Sequence, residues 1–407
     1  MNKSEQGKDL THIFSSIIIG AGISGITFAH KLSQKGEDVL VLEKEKNAGG
    51  QINTYYPKNN SGFRVESGAH TLYNSYAHLL SVVEEIGAVD NILPLQSFPY
   101  LIYQDNKIKS PFSCISYIPL MFNGLNIFFA SKKGKTVKEY FKSIVGKSNY
   151  EKLFTYMFRA VISQEADEYP ADLFLKRRNG RRKDMPRKFS FQRGLSGLIE
   201  EIIQTDQLQV KTNTEVTEVQ YANELYEVKT AAGEIYYARS IGIATNTPIA
   251  AKLLQKVDPS TSAILKDILT SLSETLTIVV EPDKVTIKPV AGIIPTSNDF
   301  NSAVSSDVAG NTTLRGFSFH FGKGNKTNEE KIDMACKVLG IQPEDILEQS
   351  FSSHILPALR IKDLGMIERI DKARSQPDIY ILGNYFYGMS LEDCVQRSTE
   401  EAKRYFS

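Results

Sequence analysis

The stretch IIIGAGISG, residues 17–25, decides the fold of this chain. It lies in an apolar, β-branched region, and residues 14–20 therefore predict a strand that is buried on both faces. Residues 22–35 carry apolar side chains at helical spacing, and EDVLVLEKE at 37–45 predicts a second strand. A strand, a helix and a second strand in this order form a βαβ unit, which requires a parallel sheet.

The glycines of that stretch have the G-x-G-x-x-G spacing of a dinucleotide-binding turn. Gly20 permits the tight turn, Gly22 lets the backbone approach a pyrophosphate, and Gly25 lets helix and strand pack closely. Glu43 lies 23 residues after Gly20, where its carboxylate can accept both ribose hydroxyls and repels a 2′-phosphate, so NADP is disfavoured. A glycine-rich turn without a ligand is the alternative, and the flanking strand, helix and acid argue against it.

A second pair of glycines bears on which dinucleotide is bound. In a simple NAD-dependent dehydrogenase the chain continues after the acid directly into its next crossover helix. Here Gly49-Gly50 and, further on, Gly68 allow another close approach of the backbone to a long ligand. The sequence therefore favours FAD over NAD.

The composition restricts the class of protein. The chain has 407 residues, 41% of them hydrophobic, a length that corresponds to about two or three domain-sized units. The net charge of +1 gives no field that favours nucleic acid. Three cysteines are too few for a disulfide framework or a zinc site, so we expect no metal centre and a reducing, cytoplasmic location. The polar N-terminus lacks the apolar core of a signal peptide.

The rest of the chain alternates between helical and strand-like patterns. Residues 77–174 are mostly helical in pattern, residues 208–245 predict a β-meander, and residues 272–325 are strand-like. Residues 327–350 are predicted to be helical, and IYILGN at 379–384 predicts a last buried strand before a short helix.

The predicted fold class is α/β, with a Rossmann-like FAD-binding domain interleaved with a mixed α+β substrate domain. The FAD-binding domain is assigned to residues 1–76, 189–265 and 370–407. The substrate domain is assigned to a helical part, 77–188, and a β-rich part, 266–369.

Two segments leave alternatives open. SCISYIPLMFNGLNIFFASKK at 113–133 is apolar but too interrupted for a membrane-spanning helix. A core segment is the ordinary interpretation, and docking on a bilayer surface or lining a channel for an oily substrate is the alternative. LKRRNGRRKDMPRK at 175–188 has eight basic residues and one acid. We interpret it as a solvated linker, with binding of an anionic substrate or of membrane phosphates as the alternative.

Several motifs are similar to those of the flavin-dependent amine oxidase superfamily over nearly the whole chain. They are the segment 20–54 around GAGISG, FRVESGAHTL at 63–72, FSFQRGLSGLIEEI at 189–202 and ILGNYFYGMSLEDCV at 381–395. The last motif most resembles the protoporphyrinogen oxidase branch, with carotenoid- and phytoene-desaturase-like relatives, because Asn384 follows Gly383 where amine oxidases carry Gly-Glu. The resemblance implies noncovalent FAD and removal of a hydride from a C–H next to nitrogen or in a polyene.

The resemblance also implies how the chain surrounds the cofactor. The backbone of Val216 is expected to meet the adenine, and the last helix is expected to point its N-terminus at the N1/C2 carbonyl edge of the flavin. Free N–H groups and the helix dipole there stabilise a reduced, anionic flavin. Ser390 and Asp393 have the spacing of a capping box. The predicted cofactor-binding residues are Gly20, Gly22, Ile23, Ser24, Gly25, Glu43, Lys44, Gly49, Gly50, Gln51, Gly68, Ala69, Val216, Gly383, Asn384, Ser390 and Leu391.

Departures from the family pattern concern the substrate more than the fold. Gln51 replaces an arginine after Gly49-Gly50, and Ser398 stands where the last helix usually has glycine. Pro99 and Tyr100 occupy positions at which porphyrinogen oxidases generally have an arginine for a substrate carboxylate. The chain is also shorter than those enzymes. These differences leave the predicted flavin site in place and weaken the case for a porphyrinogen substrate.

The catalytic candidates are His70 and Tyr385. His70 is the histidine expected near the isoalloxazine ring, where it relays a proton or polarises the substrate, unless it is a structural histidine. Tyr385, with Phe386 and Tyr387, is expected either to wall the substrate pocket or to form core at the end of the strand. Cys394 is interpreted as buried packing.

The sequence therefore predicts an FAD-dependent oxidoreductase that removes a hydride from a C–H of an apolar or heterocyclic small molecule, as protoporphyrinogen oxidases do. A desaturase or amine oxidase of a specialised biosynthetic pathway is the second interpretation, and a flavin-binding protein without turnover is the third. Oxygen or a quinone is the expected electron acceptor. Nucleic acid is not an expected partner, and the cytoplasmic location leaves peripheral contact with a membrane open.

Overall fold

Strand β1 follows the predicted apolar run and leads directly into the glycine turn. The structure is a computed structural model that describes residues 12–58, 62–205, 207–311, 313–324, 326–376 and 378–407. Residues 1–11 of the predicted FAD-binding domain lie outside the described residues. The strands are β1 (Ile13–Ile19), β2 (Val39–Leu42), β3 (Thr54–Tyr55), β4 (Val65–Glu66), β5 (Leu72–Tyr73), β6 (Ile92–Pro94), β7 (Tyr100–Gln104), β8 (Lys107–Lys109), β9 (Lys188–Phe191), β10 (Gln209–Lys211), β11 (Val216–Ala222), β12 (Leu225–Thr230), β13 (Ile235–Ile243), β14 (Thr270–Val280), β15 (Gly292–Pro295), β16 (Ser302–Ser305), β17 (Arg315–Gly322), β18 (Ile346–Pro357) and β19 (Ile379–Ile381).

The helices are distributed along the whole described chain. They are α1 (Ile23–Ser33), α2 (Ala77–Glu85), α3 (Tyr117–Asn123), α4 (Val137–Val145), α5 (Lys147–Asn149), α6 (Thr155–Ile162), α7 (Gly194–Thr205), α8 (Thr247–Leu254), α9 (Pro259–Lys266), α10 (Asn328–Leu339), α11 (Met366–Ala373) and α12 (Leu391–Tyr405). A 3₁₀ segment, Gly124–Phe128, continues α3, and a π-helical turn, Tyr150–Phe154, joins α5 to α6.

The first sheet collects strands from three separated parts of the chain. Its order is β10-β2-β1-β13-β12-β11, and β19 also pairs with β13. Strands β10, β2, β1, β13 and β19 pair in parallel, as the predicted βαβ unit requires, whereas β11, β12 and β13 form an antiparallel meander. Ile17 and Ile18 of β1 are fully buried because helices or other core elements cover both faces of a parallel sheet. The predicted α/β fold class is confirmed.

The second sheet has the order β18-β14-β17-β16-β15-β7-β8. On β17 the phenylalanines Phe317, Phe319 and Phe321 point into an apolar core that includes Ala335 and Leu339 of α10. Serine and histidine alternate with those phenylalanines and lie on the opposite face, because side chains of a strand point alternately to its two faces. The domain boundaries assigned from the sequence stay a prediction.

The prediction of a helix over residues 327–350 is wrong in its second half. Helix α10 ends at Leu339, and Gly340 follows with a left-handed backbone (φ 70°) that closes the helix. Residues 346–357 form β18, which pairs with β14 along its length. The alternation of ILEQSFSSHILP has period two, which fits a strand, and pairing with β14 decides between the two patterns.

The interpretation of residues 113–133 as core is also wrong. Its large apolar side chains project from α3 and the following 3₁₀ segment into solvent, with Phe122 82% and Phe129 86% exposed. None of the helices in the described part of the chain combines the length and the hydropathy that crossing a bilayer requires.

Helix α12 ties the end of the chain to its beginning. Ser398 donates its hydroxyl to the carbonyl of Ser24 in α1, over 2.8 Å. The carboxylate of Glu392 accepts the N–H groups of His78 and Leu79, each over 3.0 Å, and so caps the N-terminus of α2. The predicted capping box of Ser390 and Asp393 is confirmed.

The substitution Glu392→Ala should destabilise the protein by about 1–3 kcal/mol, because it leaves two N–H groups of α2 without their acceptor. Urea unfolding measures the difference. Glu368→Ala is the matched control, since Glu368 lies in the first turn of α11 and is exposed, and should change the free energy of unfolding by less than about 0.5 kcal/mol. Equal losses in the two variants would contradict the capping role.

Candidate cofactor and substrate site

The glycine turn after β1 has the geometry that its spacing predicts. Gly20 has φ 103°, and a Cβ atom there would lie 2.7 Å from the carbonyl oxygen of Ala244. A Cβ atom at Gly25 would lie 2.0 Å from the carbonyl oxygen of Gly20, so α1 and β1 pack more closely than any side chain permits. Both glycines are therefore required by the packing of the turn.

Gly22 differs from its two neighbours in the motif because the space above it is open. A Cβ atom there would meet its nearest protein atoms, in Gly49 and Gly50, only at 3.9 Å. Gly22 is also the N-cap of α1, and no described side chain caps this end or places an acid in the first turn. The N–H groups of Ile23 and Ser24 therefore begin α1 with the unsatisfied donors and the positive dipole end that an anion needs.

Glu43 lies beside this turn with its carboxylate held in place. Its Oε2 accepts the N–H of Ala21 over 2.7 Å, and its Oε1 accepts the N–H of Glu45 over 2.9 Å. Each oxygen retains a second lone pair for a ribose hydroxyl. The N–H of Thr214 donates to the carbonyl of Glu43 over 2.7 Å, which brings the segment leading to Val216 to the same end of the site.

Lys44 does not share this arrangement. Its side chain is exposed, and its ammonium lies 3.2 Å from Glu45. The only described contact of the Lys44 side chain is therefore this ion pair with its neighbour. Its predicted contact with the cofactor stays a prediction.

The second glycine pair lies against the first motif. The N–H of Gly49 donates to the carbonyl of Ala21 over 2.9 Å, and a Cβ atom at Gly50 would lie 3.2 Å from the Cα atom of Gly22. The chain then runs beside Gly68 and Ala69, where a Cβ atom at Gly68 would lie 2.0 Å from the carbonyl oxygen of Gln51. The three predicted glycine segments thus form one continuous backbone surface.

The C-terminal segment completes this surface through a contact that the sequence did not reveal. The side-chain amide of Asn384 donates to Oε1 of Gln51 over 3.2 Å. Gln51 is one of the positions at which the chain departs from the pattern that the motifs resemble, and Asn384 is the residue by which the last motif differs from amine oxidases. The two residues form one contact between neutral amides.

The basic segment 175–188 is not merely a solvated linker. The ammonium of Lys176 lies 2.6 Å from Asp393, and the guanidinium of Arg178 donates to Asp393 over 2.9 Å and to Ser390 over 2.8 Å. Two cations thus surround one buried carboxylate at the N-terminus of α12. Their charges balance those of Glu392 and Asp393 in the first turn of α12, so the helix dipole remains as the positive field at this end, from Ser390 to Leu391.

A polar face of the second sheet lies over the segment around Glu66. Ser67 and Thr277 share a hydrogen bond of 2.8 Å between their hydroxyls, and Thr277 reaches Ser318 over 3.1 Å. Ser318 in turn donates to the carbonyl of Glu66 over 2.7 Å. These bonds attach the sheet to the chain that carries Gly68, Ala69 and the predicted catalytic histidine.

In the edge strand β18 the apolar side chains face outward and the polar side chains face inward, the reverse of the usual arrangement. Its apolar side chains, among them Phe351 and Ile355, are each 38% exposed, whereas Ser352 and His354 point inward and are less exposed. Buried polar atoms normally have hydrogen-bond partners. Among the described residues the hydroxyls of Ser302 and Ser352 and Nε2 of His354 have none. Unsatisfied polar atoms on an inward face fit a site that receives a ligand.

Three histidines belong to this polar face. Burial lowers the pKa of His70 to about 4 and that of His320 to about 3. The neighbouring imidazoles of His70 and His354 lower the pKa of His320 further, and burial lowers the pKa of His354. The three rings are therefore neutral at pH 7, and the hydroxyl of Thr275 lies 2.9 Å from Nδ1 of His320.

His70 borders a small cavity. It lines a small cavity of about 30 Å³ together with Glu66, Ser190 and Ser305, beside a larger cavity of about 230 Å³ that Arg64 and Gln192 line. Its Nδ1 lies 3.0 Å from the hydroxyl of Thr71. Burial raises the pKa of Glu66 to about 7, and its carboxylate accepts the N–H of Leu195 and the hydroxyl of Thr54.

The other catalytic candidate lies in the core. Tyr385 is 1% exposed, and its hydroxyl donates to the carbonyl of Leu382 over 2.8 Å. Its catalytic role stays a prediction, and this geometry supports packing at the end of β19. Burial raises the pKa of Cys394 to about 12, which disfavours its thiolate and agrees with the interpretation of this cysteine as packing.

His320 and the hydroxyls of the polar face were not identified from the sequence. The signal was present, since TSLSETLTIVV at 270–280 and RGFSFHFG at 315–322 place serine, threonine and histidine at every second position opposite an apolar face. The polar face of a strand is ordinarily exposed to solvent. The two-residue alternation alone therefore did not distinguish a polar binding site from an ordinary solvent-exposed face.

The part of the chain that carries the glycine turn matches a known family. Residues 18–86 match the NAD(P)-binding Rossmann-like domain family. The chain is 27% identical over 128 residues to zeta-carotene desaturase from Synechocystis sp.. That match covers 31% of this chain and 25% of the desaturase, so this chain spans about a quarter of that relative's length.

Solved structures match over the whole length. A protein from Exiguobacterium sp., provisionally designated a protoporphyrinogen oxidase, has a TM-score of 0.76 at 17% identity, covering 97% of this chain and 99% of that one. Cyclohexylamine oxidase from Brevibacterium oxydans has a TM-score of 0.70 at 14% identity, with the same coverage. At these identities the likeness shows the fold. The resemblance predicted from the motifs is confirmed at the level of the fold: the chain combines an NAD(P)-binding Rossmann-like segment with the fold of a solved amine oxidase and of the Exiguobacterium protein.

Proposed function

We propose that this protein is an oxidoreductase that holds FAD noncovalently and removes a hydride from a C–H of an apolar or heterocyclic small molecule. The observation that carries the proposal is the open space above Gly22, enclosed by Gly49 and Gly50 and flanked by the oriented carboxylate of Glu43. A protein that bound no dinucleotide would have no use for an uncapped helix end in a backbone cradle.

Each part of the site has a role toward such a cofactor. The first N–H groups of α1 bind the pyrophosphate, Glu43 orients the ribose, and the backbone at Val216 meets the adenine. A bound flavin supplies the hydride-accepting chemistry. The positive dipole end of α12, where Lys176 and Arg178 offset the carboxylates of the first turn, favours negative charge at the flavin ring edge that the resemblance implies there.

The polar face supplies the opposite wall of the substrate site. His70 and His320 are neutral at pH 7, so the wall offers hydrogen bonds without a net positive charge from its imidazoles. We propose that His70 orients the substrate or transfers a proton, since it lines the cavity. An uncharged or weakly polar substrate suits this environment better than a carboxylate-rich one, because ions pay a large cost on leaving water.

Within this proposal a protoporphyrinogen-oxidase-like reaction is the first candidate, because of Asn384 in the last motif. A desaturase or amine oxidase reaction is the second, since Tyr100, at the position of the expected carboxylate-binding arginine, cannot neutralise a carboxylate. Oxygen or a quinone is the proposed acceptor. A flavin-binding protein without turnover is the third candidate, for which the departures at Gln51 and Ser398 would be signs of a decayed site.

Anaerobic reduction tests the activity. The purified protein should be yellow, and a porphyrinogen, a polyene or an amine should bleach its flavin absorbance when oxygen is excluded. A colourless protein that takes up no FAD would contradict the cofactor. A yellow protein that none of the three substrate classes bleaches would leave the binding-protein interpretation in place of the enzyme.

The glycines of the turn provide a sharper test of the cofactor. In Gly22→Ala the new methyl group meets no protein atom closer than 3.9 Å, so the protein should fold normally. The methyl group occupies the pyrophosphate position, so affinity for FAD should fall roughly tenfold or more. Titration of apoprotein with FAD, followed by fluorescence quenching, measures the effect.

Gly25→Ala is the matched variant with the opposite expectation. Its methyl group clashes with the carbonyl oxygen of Gly20 at 2.0 Å, so it should lower the free energy of unfolding by about 2 kcal/mol or more even without FAD. If Gly22→Ala retained full affinity, or if the two variants lost the same stability, the assignment of Gly22 to the pyrophosphate would be wrong.

The neutral imidazoles predict a pH dependence of stability. The pKa of His320 falls from an ordinary 6.5 to about 3 on folding, so its contribution is fully present above pH 6.5 and is lost as the pH falls. When the pH is lowered from 7 to 5, this histidine should lower the free energy of unfolding by roughly 2 kcal/mol. Urea unfolding of His320→Gln should show a correspondingly smaller loss, and above pH 7 the two proteins should change in parallel. Equal losses on acidification would contradict a buried neutral ring.

A further inference from the structure

Residues 112–129 form an exposed apolar surface on the outside of the molecule. Nine large apolar side chains within these 18 residues are between 56% and 86% exposed: Phe112, Tyr117, Ile118, Met121, Phe122, Leu125, Ile127, Phe128 and Phe129. Single exposed apolar residues are common, but a contiguous group of this size marks a place where a protein contacts a partner or a membrane.

Hydrogen bonds from two asparagine side chains hold this segment in a defined position, so its apolar side chains are not exposed merely because the segment is loose. The amide of Asn149 donates to the carbonyl of Ser116 and accepts the N–H of the same residue, each over 2.8 Å. Asn126 donates to the carbonyl of Ser143 over 2.7 Å. Polar contacts thus hold the backbone to α4 and α5, while the aromatic side chains face away from the protein.

The charges around the surface indicate the kind of partner. Residues 106–138 contain six lysines and no acidic residue. Lys133 lies four residues after Phe129. Lys147 follows Gly146, whose backbone lies close to Pro119 of α3. Both lysines are exposed, and neither has an ion pair among the described residues. Lysines beside projecting aromatic and aliphatic side chains match anionic headgroups above an acyl layer.

We propose that residues 112–129 dock this protein on an anionic lipid bilayer. The phenylalanines enter the boundary between headgroups and acyl chains, and the lysines contact the headgroups. Helix α3 has only seven residues, so it lies along the surface rather than across the bilayer. The inference does not depend on the proposed function, because neither FAD nor the substrate takes part in the contact.

Vesicle sedimentation tests the proposal on the full chain. The protein should bind vesicles of phosphatidylcholine mixed with phosphatidylglycerol, should bind phosphatidylcholine alone more weakly, and should be released as salt is added. Phe122→Ser and Phe129→Ser should each weaken partitioning roughly tenfold, since each removes one buried aromatic side chain from the lipid. Phe406→Ser, at an exposed phenylalanine on the far end of α12, is the matched control and should bind as wild type does.

Charge reversal tests the headgroup contact separately. Lys133→Glu combined with Lys147→Glu should abolish the preference for phosphatidylglycerol. Lys337→Glu, at an exposed lysine of α10, should leave that preference unchanged. Retention of the preference in the double variant would overturn the assignment of these lysines.

The absence of tryptophan from the chain permits a direct measurement of insertion. Phe128→Trp introduces the sole tryptophan, whose emission should shift to shorter wavelength on adding the phosphatidylglycerol vesicles, whereas that of Phe406→Trp should not shift. Unshifted emission from Phe128→Trp, or no vesicle binding by the wild type, would overturn the proposal. A third result would also overturn it: the wild type forms an oligomer, Phe122→Ser and Phe129→Ser dissociate that oligomer, and the wild type does not bind vesicles. The surface would then be a contact between copies of the chain.

Discussion

The contact between the backbones of Gly22 and Gly49 is the constraint on which the rest of the site depends. It places the uncapped end of α1 against a second chain segment, with a gap that only glycines leave open. From Gly49 the chain passes Gln51 and runs beside Gly68, so the same contact fixes the position of Glu66 and His70. A side chain at Gly49 would clash with the carbonyl oxygen of Ile52, which lies 2.5 Å from the Cβ position, and would therefore disturb this contact.

The electrostatic character of the site changes along its length. The helix dipoles make the N-termini of α1 and α12 positive, and at α12 Lys176 and Arg178 balance the carboxylates of the first turn. The polar face of the second sheet offers neutral imidazoles and hydroxyls instead. Between these regions lies the neutral pair of Gln51 and Asn384, which carries a hydrogen bond without a net charge.

The sequence predicted the glycine turn and the capping box correctly because their signals are local. The spacing of Gly20, Gly22 and Gly25 specifies a turn within a few residues, and the capping box of Ser390 depends on one helical turn. Contacts between distant segments have no such local signal. Gln51 and Asn384 are separated by 333 positions, and only the assembled fold shows that their side chains are in contact.

The two errors of the sequence-based prediction have different causes. Residues 346–350 were assigned to the helical run that contains α10, and pairing with β14 makes them part of a strand instead. Residues 113–133 were interpreted by assuming that apolar side chains face the interior of the protein. On β18 the inward face is polar, and in residues 112–129 the outward face is apolar. Hydrophobic patterning reports which side chains avoid water, but it does not report whether protein, ligand or lipid replaces the water. The inverted faces are therefore the places where the structure adds most to the sequence, and both of them point to function rather than to stability.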